Sequence, residues 1–318
     1  MSSVREVQQA RLLEKFEREL GEQARQGIAD PAVTDLIVNR DGHLWFDAHG
    51  KGMWDTGCVM PPTQVESLIG TVAALLNMVV NAQSPIIEGE LPGGIGRFEG
   101  LVPPVVAQPC FAIRKPAQVL HTLEDYVKSG ITSEHQAEIF RSAIVKRQNI
   151  VIAGGTGSGK TTLTSALIHE MVKLGEPSDR YAILEDTYEL QCSAPNAIQL
   201  RACDAADLTR LVRATMRLRP DRIIIGEVRG AEALSMLKAW NTGHPGGVTT
   251  VHANSAVAAL TRLSSLVQEA GVPPQPELIA ETVDLLAFIT RTPTGRRVSE
   301  LVALDGYSPG EGFKLTPL

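Results

Sequence analysis

The sequence predicts an α/β fold, a parallel sheet covered by helices and preceded by a smaller α+β region. Three observations lead there. From Leu120 onward, helical patterns alternate with short apolar runs, NIVIAG, RYAILED, RIIIGEV, GVTTVHA and LAFITR; such alternation builds parallel sheets with helices on their faces. The stretch NIVIAGGTGSGKTTL sets a glycine-rich loop between one of those strands and a periodic helix. Ahead of Leu120 the pattern differs: an amphipathic helix, then short strands broken by Asn, Gly and Pro turns.

Residues 4–26 form that first helix, with Val4, Val7, Leu12, Leu13, Phe16 and Leu20 near helical spacing and charges between them. Thr34 to Val38, HLWFDA and MWDTG follow as short strands, separated by Asn-Arg-Asp-Gly and His-Gly-Lys-Gly turns. Pro61-Pro62 closes that section, and Val65 to Asn81 reads as a helix. Between Glu88 and Pro109 the chain is rich in Gly and Pro, so strands there are interrupted by loops. CFAIRKP is a further strand ending at Lys115-Pro116, since the residue before a proline avoids the helical region. The composition changes at that point. It divides an amino-terminal α+β domain, 1–114, from a second domain, 121–318, through a linker at 115–120.

The 318 residues fit two domains of about 100–200 residues each. A net charge of −6 provides no global basic field, and 4% aromatic residues leave little surface for stacking bases. Stable nucleic-acid binding is therefore not expected. Cys58, Cys110, Cys192 and Cys203 form no C-x-x-C pair, which points away from zinc and disulfides and toward a reducing cytoplasm. The amino terminus lacks the basic and apolar regions of a signal peptide. The longest uncharged stretch, Ser67 to Ile87, is broken by Thr71, Asn77, Asn81 and Pro85. A membrane span needs about 20 mostly apolar residues, so this stretch reads as a buried helix.

The glycine-rich loop carries the first chemistry. It fits G-x-x-x-x-G-K-[ST], with Gly154, Gly159, Lys160 and Thr161 at the fixed positions. Glycines let backbone N–H groups turn inward around phosphate oxygens, and the next helix points its positive end at the same anion. Gly155, Thr156, Gly157, Ser158, Gly159, Lys160, Thr161 and Thr162 are the expected contacts of a nucleotide triphosphate. Lys160 brings a full charge, and the Thr161 hydroxyl suits Mg²⁺. Leu163, Leu167, Met171 and Leu174 supply the apolar stripe of the helix, and Gly175 ends it.

RPDRIIIGEVRG carries the second. Ile223 to Ile225 are a buried strand that delivers Glu227 at its carboxyl end, where ligands bind open α/β sheets. A carboxylate there can hold Mg²⁺ through water or orient the attacking water. ILEDTYEL places Glu185 and Asp186 after another strand, and GHPGGVTTVHANS places His252 after a third. An acidic pair alone could be a solvated turn, and a lone histidine is more often structural than catalytic. Several strand ends on one sheet edge favour function.

GGTGSGKTT, ILEDTYEL, RPDRIIIGEVRGAEAL and TGHPGGVTTVHANS, in that order, resemble the Walker A, Asp-box, Walker B and His-box motifs of secretion ATPases of the GspE/PulE/PilT superfamily. The short chain resembles its type IV secretion and conjugal-transfer branch. The resemblance implies a RecA-like P-loop ATPase domain behind the smaller α+β domain, a homo-hexameric ring, and ATP with Mg²⁺ near the contact between domains. Lys160 and Thr161 would be the Walker A pair, Glu185 the Asp-box acid, Glu227 the Walker B glutamate and His252 the His-box histidine. Thr161, Glu185 and Glu227 would attend the metal. Arg97 in GGIGRFEG and Arg114 in FAIRKP stand where the family's phosphate-reaching arginines are expected. Arg217, Arg219, Arg222 and Arg229 flank the Walker B strand and are further candidates, for catalysis or for structural ion pairs.

The implied function is an ATP-hydrolysing motor that drives substrate transport or conjugative pilus assembly. Its implied partners are other secretion or conjugation channel proteins at the inner membrane, met from the cytoplasmic side, with peripheral membrane association compatible. A type IV pilus extension or retraction motor is the alternative within the superfamily. A nucleotide-binding scaffold with negligible hydrolysis is the alternative outside that class.

Overall fold

Apolar and polar residues alternate through the first part of the chain, the pattern of an antiparallel sheet with one covered face. The computed structural model describes residues 2–48, 51–116, 120–293 and 295–318, in two units, Met1–Val119 and Leu120–Leu318. In the first unit β1 (Val33–Val38), β2 (His43–Ala48), β3 (Gly52–Val59), β4 (Ile86–Leu91), β5 (Gly96–Leu101) and β6 (Cys110–Arg114) make one sheet in the order β3-β2-β1-β6-β5-β4. Leu36, Val38, Leu44, Phe46, Ile87, Phe98, Phe111 and Ile113 line its covered face. They pack with Phe16 and Leu20 of α1 (Ser2–Ala29) and with Val65, Leu68, Ile69 and Val72 of α2 (Pro62–Leu75).

Three details differ from the sequence reading. Helix α1 is interrupted at Gly21, whose φ of 81° and ψ of 169° leave the helical region, and Val7 near its start is exposed. Helix α2 ends at Leu75 rather than Asn81: Asn77 turns to φ 56°, and Met78 and Val79 beyond it are exposed. The side chain of Val4, His49 and Gly50 of the second turn, and 117–119 of the linker lie outside the described residues.

The second unit begins with α3 (Leu123–Lys128) and α4 (Glu134–Val145), each opened by a capping box, at Thr122 and at Ser133. The remaining elements are β7 (Ile150–Gly154), α5 (Lys160–Leu174), β8 (Tyr181–Glu185), β9 (Ala197–Arg201), α6 (Leu208–Thr215), β10 (Arg222–Ile225), α7 (Glu232–Asn241), β11 (Val248–His252), α8 (Ala256–Gln268), α9 (Pro276–Thr282), β12 (Leu285–Thr292), β13 (Gly295–Ser308) and β14 (Gly312–Pro317). The sheet order is β14-β13-β12-β7-β11-β10-β8-β9. The strands from β12 to β9 pair in parallel, and β13 and β14 add an antiparallel edge.

Central strands read as unbroken apolar runs because both faces are covered. Val151 and Ala153 pack with α7, α8 and α9, whereas Ile150 and Ile152 pack with α3, α4 and α5. Leu163, Leu167 and Met171 of α5 are fully buried, but Leu174, expected in the same stripe, is exposed. At the amino ends of the strands Asn149 acts as a clamp. Its Oδ1 accepts from the N–H groups of Gly246 and Gly247, and its Nδ2 donates to Thr282 O. Arg222, also buried there, donates to Gly246 O at 3.1 Å and Ile144 O at 3.0 Å. These bonds tie the starts of β7, β10 and β11 together, so their carboxyl ends emerge side by side.

Candidate active site

Strand β7 runs fully buried into the glycine loop. Gly157 and Gly159 adopt φ of 69° and 100°, a region that favours glycine. Gly159 is the N-cap of α5 and supplies no capping side chain. Its carbonyl accepts from Leu163 N, so the first amides of α5, at Lys160, Thr161 and Thr162, are the helix's unsatisfied donors. Beside Gly155 and Gly157 a Cβ would meet open space, and the buried Ser158 hydroxyl has no hydrogen-bond partner. The loop therefore has the donors, the room and the helix end that a phosphate group requires.

Lys160 is largely buried. Its ammonium donates to Gly154 O and Gly155 O, each at 3.1 Å, and lies 3.4 Å from Nδ1 and 3.5 Å from Nε2 of His252. Burial lowers its pKa, while Glu227 pulls it back up. Thr161 follows at the first turn of α5.

Glu227 stands two residues beyond β10. Gly226 between them sits close to Glu185: a Cβ there would lie 3.0 Å from Glu185 Cγ. The Glu227 carboxylate is flanked on both sides, but hydrogen-bonded at one oxygen only. Arg229 Nη2 donates to Oε2 at 2.7 Å, and His252 Nε2 stands 2.9 Å from Oε1, in ion-pair range without hydrogen-bond alignment. His252 ends β11 and is half-exposed. Burial lowers its pKa, with Glu227 opposing and Lys160 and Arg229 adding to the effect. The imidazole is thus neutral near pH 7.

Glu185, at the end of β8, is buried and accepts from the N–H groups of Glu189 at 2.9 Å and Leu190 at 2.8 Å. It thereby shapes the turn beneath Gly226. Asp186 lies 3.7 Å from Arg229 Nη1. Among the described residues no three His, Cys, Asp or Glu side chains group as a metal site. A Mg²⁺ held by one or two protein oxygens and by phosphates needs no such group.

Arg97 and Arg114 belong to the amino-terminal unit. They face each other in register across β5 and β6, on the side of the sheet opposite its core, and both are exposed. Arg97 lies 3.7 Å from Glu88, and Arg114 4.0 Å from Asp35. Of the four arginines near β10, Arg229 enters the carboxylate cluster and Arg222 is built into the strand base. Arg217 and Arg219 are exposed. The sequence reading omitted Arg296, on β13, whose Nε donates to Gly157 O at 3.4 Å.

Residues 27–294 match the family described as type II/IV secretion system protein. The chain belongs to that family. It is 51% identical over 300 residues to the probable conjugal transfer protein TrbB of Sinorhizobium fredii, covering 94% of this chain and 92% of that protein. The crystal structure of the VirB11 ATPase from the Brucella suis type IV secretion system, at 26% identity, covers 93% of this chain and 96% of that one with a TM-score of 0.50. The Legionella pneumophila ATPase DotB resembles it in fold, with a TM-score of 0.61 at 20% identity, covering 92% of this chain and 79% of that one. The fold is that of these secretion ATPases, a RecA-like P-loop domain preceded by a smaller α+β domain, as the motifs led one to expect.

Proposed function

We infer that this chain is the ATP-hydrolysing motor of a type IV secretion or conjugation apparatus. The observation that carries the reading is the meeting of Lys160, Glu227 and His252 at the carboxyl ends of β7, β10 and β11. Family membership and half identity to a conjugal transfer protein along nearly the whole chain support the biological setting.

In this reading the amides of Gly157 to Thr162 bind the β- and γ-phosphates, and Lys160 neutralises them. Thr161 would hold Mg²⁺, which would supply further charge neutralisation at the phosphates. Glu227 orients the attacking water. Arg229 holds one oxygen of its carboxylate by a hydrogen bond and limits the rearrangement needed at the moment of reaction. Neutral His252 leaves Glu227 its charge and its basicity. Glu185 works one step back, by fixing the turn behind Gly226. Arg97 and Arg114 are the arginines that stabilise charge on the γ-phosphate; a planar guanidinium suits phosphate oxygens better than an ammonium does.

The working form is a homo-hexameric ring that meets channel proteins at the cytoplasmic face of the inner membrane. Among the described residues no helix is long and apolar enough to cross a membrane. The test is a mass measurement of the purified protein with and without ATP and Mg²⁺, run beside its hydrolysis rate. Nucleotide-dependent hexamers with hydrolysis abolished by Lys160→Ala are expected. A protein that stays monomeric and hydrolyses no ATP would overturn the motor reading.

A further inference from the structure

The glycine loop sits between two sides of the sheet. On one side, β11 and β10 bring His252 and Glu227. On the other, β12 and β13 bring Arg296. Given the proposed function, the γ-phosphate faces Glu227, and Arg296 stands on the side of the loop away from it.

Arg296 lies there against the loop itself. Its Nε donates to Gly157 O at 3.4 Å, and its Cδ lies 2.9 Å from the place a Cβ on Gly159 would take. A side chain at 159 would press on Arg296, and the φ of 100° there itself favours glycine. A peptide's C=O and N–H point in opposite directions. The Gly157 carbonyl that Arg296 holds is backed by Ser158 N–H, which turns into the loop and donates to Gly155 O at 3.3 Å. The guanidinium uses only Nε in this contact. Among the described residues its two Nη groups have no hydrogen-bond or ion-pair partner, and the side chain is exposed. A guanidinium with both Nη amino groups open, at the edge of a phosphate cradle, suits a further phosphate. The charge also reaches the buried Tyr126 hydroxyl of α3, where it opposes part of the upward pKa shift that burial causes.

We propose that Arg296 binds the α-phosphate of the nucleotide held by the glycine loop. The assignment rests on the nucleotide reading above. It adds a contact on the side of the loop away from Glu227, one that acts on affinity rather than on cleavage.

Calorimetric titration of the full chain with ADP, tripolyphosphate and pyrophosphate, all with Mg²⁺, tests it. Arg296→Ala should weaken ADP and tripolyphosphate about tenfold, the scale of one charge-assisted contact, and leave pyrophosphate unchanged. Arg296→Lys, which keeps the charge without the fork, should lose less. Thermal unfolding reports whether either variant is folded. Equal weakening of all three ligands would mean that Arg296 only shapes the loop and would overturn the proposal. A loss confined to ADP would place the contact on the nucleoside and overturn it too, as would no loss at all. Lys160→Ala is the separate control. It should lose pyrophosphate as well, and if it does not, the glycine loop is no phosphate cradle and the underlying reading fails.

Discussion

Glu227 and His252 stand 2.9 Å apart across neighbouring strands, Oε1 to Nε2, while Arg229 holds the other carboxylate oxygen at 2.7 Å. Arg229 thus anchors one carboxylate oxygen by a hydrogen bond, while the other lies beside the imidazole without one. Glu227→Gln keeps the shape and removes the charge. It should lower kcat by about 10²–10⁴, the range of a general base, with ADP affinity within a few-fold of the parent. Steady-state hydrolysis and calorimetry measure the two quantities. Turnover at the parent rate would remove Glu227 from the reaction.

His252 links the site to pH. Burial holds its pKa below the usual histidine range. As pH falls below about 6.5, an unfolded chain takes up a proton at this position that the folded chain does not. Folding stability attributable to His252 is thus full above that range and declines as pH falls toward the lowered pKa. In His252→Gln the slope of the urea midpoint between about pH 5 and 7 should flatten. An unchanged slope would mean that the imidazole is as easily charged in the folded chain as in the unfolded one.

Away from the site, Arg141 gathers carboxylates from three helices. Its Nε lies 3.1 Å from Glu170, which is almost fully buried, and its Nη groups reach Glu138 at 2.7 Å and Glu124 at 3.3 Å. Among the described residues, Arg141→Ala would leave Glu170 with the more distant Lys173, at 3.7 Å, as its ion-pair partner. The expected cost is about 3 kcal/mol, the low end for stranding one partner of a buried pair. Guanidinium denaturation measures it. The double variant Arg141→Ala/Glu170→Leu should recover part of the loss, because no charge is left buried without its partner.

The parallel strands were legible because burial on both faces leaves unbroken apolar runs; IVIA, AILE and RIII could be little else. The edge was not. In β9 exposed residues alternate with partly buried ones. That alternation spans only five residues, and β13 begins with Gly295, Arg296 and Arg297, all exposed, so neither strand shows the unbroken apolar run of the central ones. The helix expected to run to Asn81 failed for a backbone reason. Apolar residues continue past Leu75, but Asn77 in the left-handed region ends the helix. Within the site, spacing after β10 pointed to Glu227, yet gave no way to choose Arg229 among four nearby arginines. That choice depends on side chains meeting across β8, β10 and β11. Arg296 had no signal, since its approach to Gly157 exists only once β12 and β13 pair beside β7.

The cross-strand pair Arg97 and Arg114 yields the last expectation. Like charges directly opposite in an antiparallel pair destabilise a sheet, by roughly 0.2–1 kcal/mol. Their acidic neighbours stand at 3.7 and 4.0 Å on an exposed face and compensate only weakly. A structural role for the pair therefore predicts little benefit to stability, whereas a role on the γ-phosphate gives a reason for two guanidinium groups side by side. Arg114→Ala should leave the thermal midpoint unchanged or slightly raised and lower kcat by about 10³, the low end for an arginine finger. ADP affinity should change little, because ADP has no γ-phosphate. Arg97→Ala should follow the same pattern. A variant that loses stability and activity in parallel, or loses ADP affinity as much as turnover, would return that arginine to the fold and take it out of the reaction.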